Sequence, residues 1–230
     1  MAGKIRIVSR SEEPFADRKE AGVALGGELK DLVGQEAVVL GIPRGGIVVA
    51  REVARMLSAD LDIVLSRKLG APDNPELAIG SVSEDGKLFL HKWLVMELGV
   101  SHDYIEQEKA RQMAEIARRT RLIREFLPRL PLKGRLAIVT DDGVATGATL
   151  RAALWACRQE KPQKLIVAVP VGPEETLREL AQDSDELICL RSPPDFSAVG
   201  QFYTVFAQVE DDEVIEILKK EQARRASVKG

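Results

Sequence analysis

The chain has 230 residues, enough to bury a real core, and 45% hydrophobic with 30% charged residues is a globular composition that excludes disordered and membrane classes. A net charge of −3 supplies no general basic field for nucleic acid, so any polyanion must be gripped by a local pocket. Cys157 and Cys189 read as small buried hydrophobes of a reducing compartment, and with no secretory leader in Met1 to Arg10 and no membrane-length apolar run, a cytoplasmic location is expected.

In chain order, Lys4 to Val8 alternates like an edge strand. Phe15-Ala16-Asp17-Arg18 opens a helical pattern carried by Ala21, Leu25, Leu29 and Leu32 and stopped by Gly34. Ala37 to Ile42 is a buried strand that delivers Pro43-Arg44-Gly45-Gly46 to the helical run Ile47 to Leu57. Leu61 to Leu65 is a third strand, and it places the cations Arg67 and Lys68 in a loop at its carboxyl end, where ligands bind in open α/β sheets. Ala78 to Val82 and Lys87 to Leu90 flank Glu84-Asp85-Gly86, a hairpin signal. His91 to Leu98 and Ser101 to Phe126 are helical, the second capped by Ser101, with Ile105, Met113, Ile116, Ile123 and Leu127 in one apolar stripe. That stripe offers itself to the body or to a second subunit of a homodimer. The run Arg118 to Arg121 sits among glutamates and reads as a solvated face, and His91 and His102 are too isolated for a metal site.

After Pro128 comes LAIVTDDGVATGATL, from Leu136 to Leu150. A buried strand delivers adjacent carboxylates, Asp141 and Asp142, followed by a small-residue turn with Thr146 and Thr149 at the start of the next helix. A helix start binds anions, because its first N–H groups are unpaired and the macrodipole is positive there. The Thr/Gly half therefore suits a phosphate monoester, whereas carboxylates repel one and accept from hydroxyls or hold hydrated Mg²⁺. A sugar with vicinal hydroxyls and a terminal phosphate satisfies both, as in the ribose 5-phosphate half of phosphoribosyl pyrophosphate (PRPP). A Walker A loop would need a Lys, G-x-G-x-x-G is not matched, and an aspartyl phosphatase would need its nucleophile where Val139 stands. A plain strand-to-helix turn with a capping Thr leaves the two carboxylates without a role.

The rest alternates strand and helix: Leu165 to Pro170, Pro173 to Ala181, Glu186 to Leu190, then a closing helix Asp211 to Lys220 and a tail from Arg224 expected to fray. Such alternation predicts a parallel sheet with right-handed crossovers and sites at its carboxyl ends.

The Leu136 to Leu150 run resembles the PRPP signature of type I phosphoribosyltransferases, with Asp141 and Asp142 as the acidic pair and Gly143, Val144, Ala145, Thr146, Gly147, Ala148 and Thr149 as the 5-phosphate loop. It departs at Thr140, usually apolar, and at Ala145, which is a catalytic Asp in some purine enzymes of the family. The resemblance implies an open parallel sheet with helices on both faces in one domain over residues 1–230, a helical excursion at 91–127 and a small hood at 191–207. It implies that Arg44, Gly45 and Gly46 form a pyrophosphate loop, whose Arg-Gly peptide is often cis in the family, with Arg67 or Lys68 reaching the same group. It further implies a mobile lid at Pro72 to Gly86. The string RSPPDFSAVGQFYTVF is similar to the hood of a bacterial group whose acceptor is undefined, with Asp195 as acceptor or base and Phe196 and Tyr203 as stacking rings. The implied reaction moves 5-phosphoribosyl from Mg-PRPP to a nitrogen nucleophile, with Asp141 and Asp142 holding the metal through water or the ribose hydroxyls. The rival expectation is a non-catalytic regulator that senses PRPP. Neither nucleic acid nor membrane is an expected partner.

Overall fold

The computed structural model describes residues 3–125 and 127–228, apart from the side chains of Glu76, Arg119, Leu122 and Val228. The first half runs β1 (Lys4–Ser9), α1 (Arg18–Glu28), β2 (Ala37–Gly41), α2 (Gly45–Leu57), β3 (Asp60–Ile63), β4 (Ser66–Ala71), β5 (Asn74–Ser83), β6 (Leu88–Leu90), α3 (Lys92–Glu97) and α4 (His102–Arg124). The second runs β7 (Leu136–Thr140), α5 (Ala148–Gln159), β8 (Lys164–Val171), α6 (Glu174–Leu180), β9 (Glu186–Arg191) and α7 (Asp211–Val228). Residue Phe126, the expected end of the long helix, lies outside the described residues.

Six strands form one wholly parallel sheet in the order β1-β9-β8-β7-β2-β3. Side chains alternate across a strand, so each strand feeds both faces. Val39, Ile138, Ile166 and Ile188 join Leu25, Ile47 and Leu218, which puts α1, α2 and α7 on one face. Val38, Ala137, Val139 and Val167 join Leu154 and Leu177, which puts α5 and α6 on the other. Gly41 pairs with Thr140, so β2 and β7 end level and release their loops at one edge.

The second sheet, antiparallel β4-β5-β6, packs on α5 and α4 and departs from expectation. Residues 66–70, expected as a loop, are strand, because Ser66 pairs with Ser83 and Leu69, fully buried, with Gly80. The expected lid lacked apolar anchors on paper, yet β5 runs through it with Ile79 and Val82 completely buried. Its Glu84-Asp85 turn is held by Arg124 and Arg129, so a loosely anchored lid over Pro72 to Gly86 is not what forms. Ile105, Ile116, Ile123 and Leu127 are buried against this sheet and the main body. The tail does not fray at Arg224: Arg224 and Arg225 both pair with buried Glu221, and Arg225 also donates to the Leu61 carbonyl. Both cysteines are buried and free, and desolvation pushes the Cys189 thiol up to about 12. Among the described residues no helix is long and apolar enough to cross a membrane.

Candidate functional site

Two βα loops meet where β2 and β7 end. On the first, α2 begins at Gly45 with no side chain capping it. On the second, Gly147 takes φ +75°, a left-handed turn that disfavours any Cβ, and α5 begins at Ala148, again without a side-chain cap. By contrast α1 and α4 are capped by Asp17 and Ser101. The first N–H groups of α2 and α5 are thus left for something other than their own caps, and a Thr serving merely as a cap is not found at α5.

The loops interlock through missing side chains. A Cβ on Gly46 would lie 2.8 Å from the Asp141 Cα, and one on Gly45 would collide with the Asp142 carboxylate. A cis peptide is present at Pro43–Arg44, one bond earlier than the Arg44–Gly45 step where it was expected. Arg44 extends toward Glu210 at 3.4 Å.

Asp141 and Asp142 are half-buried. The Asp142 N–H donates to Asp141 Oδ1 at 2.9 Å, and Arg18 Nε donates to Asp142 Oδ2 at 2.8 Å. Desolvation first, then the like charge of Asp142, raises the Asp141 carboxyl well above the usual carboxylate range. Among the described residues Arg18 is the one guanidinium that pairs with these carboxylates, and it touches only Asp142.

The loop from Gly143 to Thr149 is split by exposure. Gly143, Val144, Gly147 and Ala148 are buried, whereas Ala145, Thr146 and Thr149 face outward. Ala145 uses its carbonyl to accept from Thr176 Oγ1 at 2.8 Å, which ties the loop to α6. Beside it a cavity of about 110 Å³ is lined by Pro43, Ser66, Arg67, Lys68, Glu115 and Thr149. The cations expected at pyrophosphate and Thr149 of that loop therefore border one space, although Arg67 stands on a strand and pairs with Glu115 at 3.7 Å.

The hood candidates fare unequally. Tyr203 is 5% exposed, and its hydroxyl donates to the Asp142 carbonyl at 2.5 Å, so it is a buried strut and no platform for an acceptor. Phe196 is half-buried and stacks on Phe202 at 5.3 Å, and Asp195 is exposed. Val199 does reach the site, because a Cβ on Gly143 would lie 2.6 Å from it. Two contributors escaped the sequence reading. Arg18 looked like a helix opener, and Phe206, whose ring lies 3.9 Å from the Arg18 guanidinium, was one more aromatic in a long string. The segment before α1 is spliced to residues 204–205, since Phe15 and Ala16 accept from the Thr204 and Val205 N–H groups at 2.8 and 2.9 Å.

Residues 23–205 match the family model described as the phosphoribosyl transferase domain, and the chain belongs to that family. A phosphoribosyl transferase of Mycobacterium tuberculosis, provisionally so named and present in strains H37Rv and CDC 1551, is 43% identical over 206 residues, or 90% of this chain. Those residues are 46% of the relative, so the chain spans about half the length of the curated relatives it matches. The crystal structure of TT1426 from Thermus thermophilus is 45% identical, superposes with a TM-score of 0.86, and covers 90% of this chain and 98% of its own.

Proposed function

We propose that the chain binds Mg-PRPP and transfers its 5-phosphoribosyl group to a nitrogen nucleophile, releasing pyrophosphate. The observation that carries this reading is the interlock of the two βα loops, which sets an acidic pair against two uncapped helix starts. The start of α5, with Thr146 and Thr149, takes the 5-phosphate. The loop from Arg44 to Gly46, with Arg67 or Lys68, takes the pyrophosphate. Asp141 and Asp142 accept from the ribose hydroxyls and face the positive charge that grows on the ribose as the bond to pyrophosphate lengthens.

The donor set fits Mg²⁺. Among the described residues no three His, Cys, Asp or Glu gather as a cage, whereas Mg²⁺ is commonly held by one or two carboxylates with substrate phosphates and water. Asp141 and Asp142 would hold it, and when bound it supplies charge neutralisation at the departing pyrophosphate. Ala145 offers only a methyl group and no base, so the acceptor must either need none or find it elsewhere, as in the hood. Small molecules are thus the proposed partners, and the protein is taken to work in the cytoplasm.

A panel of nucleobases and amines should be screened for pyrophosphate release from Mg-PRPP. One acceptor with saturable, Asp142-dependent release establishes the transferase. Tight Mg-PRPP binding without release from any acceptor would instead favour a PRPP-sensing regulator.

A further inference from the structure

Asp142 is not positioned by its own loop alone. Arg18, first residue of α1, gives Nε to Asp142 Oδ2 and Nη1 to the Ala207 carbonyl, each at 2.8 Å, with its guanidinium on the Phe206 ring. The two charged side chains are only 11% and 16% exposed, so this pair is far less screened than a surface bridge. The backbone beneath Arg18 is fixed as well. Asp17 caps α1 by accepting from the Lys19 and Glu20 N–H groups, and the preceding residues pair with the hood at Thr204 and Val205. From the other side the Tyr203 hydroxyl holds the Asp142 carbonyl. The Gly45 backbone presses against the same ion pair, since a Cβ there would lie 2.9 Å from Arg18 Nε. Three segments distant in sequence therefore converge on Asp142, two at its carboxylate and the third at its backbone carbonyl.

We propose that Arg18 is a positioning residue for Asp142: it fixes that carboxylate for the ribose hydroxyls and thereby makes ligand binding depend on the splice between the N-terminal segment and the hood. The proposal rests on the PRPP reading above. Arg18 engages Oδ2 of Asp142 from one side and fixes the plane of the carboxylate. Its role needs a planar fork, because one group must at once pair with a carboxylate, donate to a carbonyl and stack on a ring. A lysine ammonium carries the charge but not that geometry.

Mg-PRPP should be titrated calorimetrically into the wild type, Arg18→Ala, Arg18→Lys, Asp142→Asn and the Arg18→Ala/Asp142→Asn double variant. Arg18→Ala and Asp142→Asn are each expected to weaken binding at least about tenfold, or 1.4 kcal/mol. In the double variant the two losses should fail to multiply, because Arg18 acts through Asp142. Arg18→Lys should recover less than half of the logarithmic loss. If Arg18→Ala melts below the assay temperature, Phe206→Leu replaces it, with about a threefold to tenfold weakening expected from loss of the stacked ring. Wild-type affinity in Arg18→Ala or Phe206→Leu, multiplying losses, or full rescue by Lys would overturn the positioning role while leaving the PRPP reading intact. A wild type that takes up no Mg-PRPP would defeat that reading and this proposal with it.

Discussion

Two clusters of enclosed carboxylates and guanidinium groups, one behind the β5–β6 turn and one at the end of β7, are balanced in opposite ways. Behind the β5–β6 turn, Arg124 uses Nε, Nη1 and Nη2 on Glu84, Asp62 and the carbonyls of Ile63 and Leu127. Asp62, 1% exposed, also accepts from the Ile63 and Leu130 N–H groups, and Arg129 adds a second cation to Glu84. At the end of β7, two carboxylates share Arg18, and the hydrogen bonds among the described residues engage one oxygen of each. A buried ion network with every donor matched fastens the fold. A pair left with surplus acceptors and a raised Asp141 carboxyl is held at a cost that a ligand can relieve.

The sharpest way to break this contrast is to remove one partner from each cluster. Arg124→Ala should destabilise the protein by about 3–5 kcal/mol, because it strands Asp62 and Glu84 in the interior. A urea midpoint nearly equal to that of the wild type would show that the network fastens nothing. At the other cluster, Asp141→Asn and Asp142→Asn should each lower PRPP turnover by about a hundredfold, some 2.7 kcal/mol, with the fold intact. Undiminished turnover in both would remove the acidic pair from the mechanism.

The surplus charge also predicts a pH signature. Asp141 has a raised carboxyl in the folded protein, so the native state favours its protonated form. Its contribution to stability is whole below about pH 4, the ordinary carboxylate range, and is lost as pH rises from there through the raised native value. Asparagine is neutral throughout. Asp141→Asn should therefore melt higher than the wild type at pH 7, by about 2 °C or more, and the gain should vanish near pH 3.5. A gain independent of pH would assign the effect to packing. The smallest effect expected concerns a carboxylate the acidic cluster lacks. With Ala145 in place of an aspartate, hypoxanthine and guanine should react at well under about 1 per second, the low end of ordinary enzyme turnover. Steady-state assays with either purine at higher rates would show that the base is supplied elsewhere.

The parallel sheet was legible because its strands are short runs of Val, Ile and Leu between helical stretches, and that period survives any tertiary context. The acidic pair was legible because Asp141 and Asp142 directly follow such a run. What escaped has a common cause. Ser66 to Ala71 is a strand only because it pairs with β5, and the charges of Arg67 and Lys68 masked that pairing. The lid expectation failed likewise: Pro72, Asn74 and Asp85-Gly86 announce turns, but nothing local shows that Ile79 and Val82 fall on a core face. Arg18 lies 124 residues from Asp142, and no local pattern marks a side chain whose partner is so remote. Tyr203 was placed in the right neighbourhood with the wrong task, since its hydroxyl turns inward to Asp142.

The contact of Gly45 and Gly46 with the acidic pair carries one more consequence. The gap between the two loops is set on one side by bare glycine backbone and on the other by the Asp141 backbone and the two carboxylates, so the glycine side has no side chain to rotate or shorten. It acts as a ruler whose length the sequence cannot adjust by ordinary drift. Even Gly46→Ala, one methyl group, places a carbon 2.8 Å from the Asp141 Cα and forces one loop to move. Substitutions at the outward-facing positions 145, 146 and 149 leave that spacing untouched, whereas a side chain at either glycine would have to be matched by a shift of the aspartate it meets.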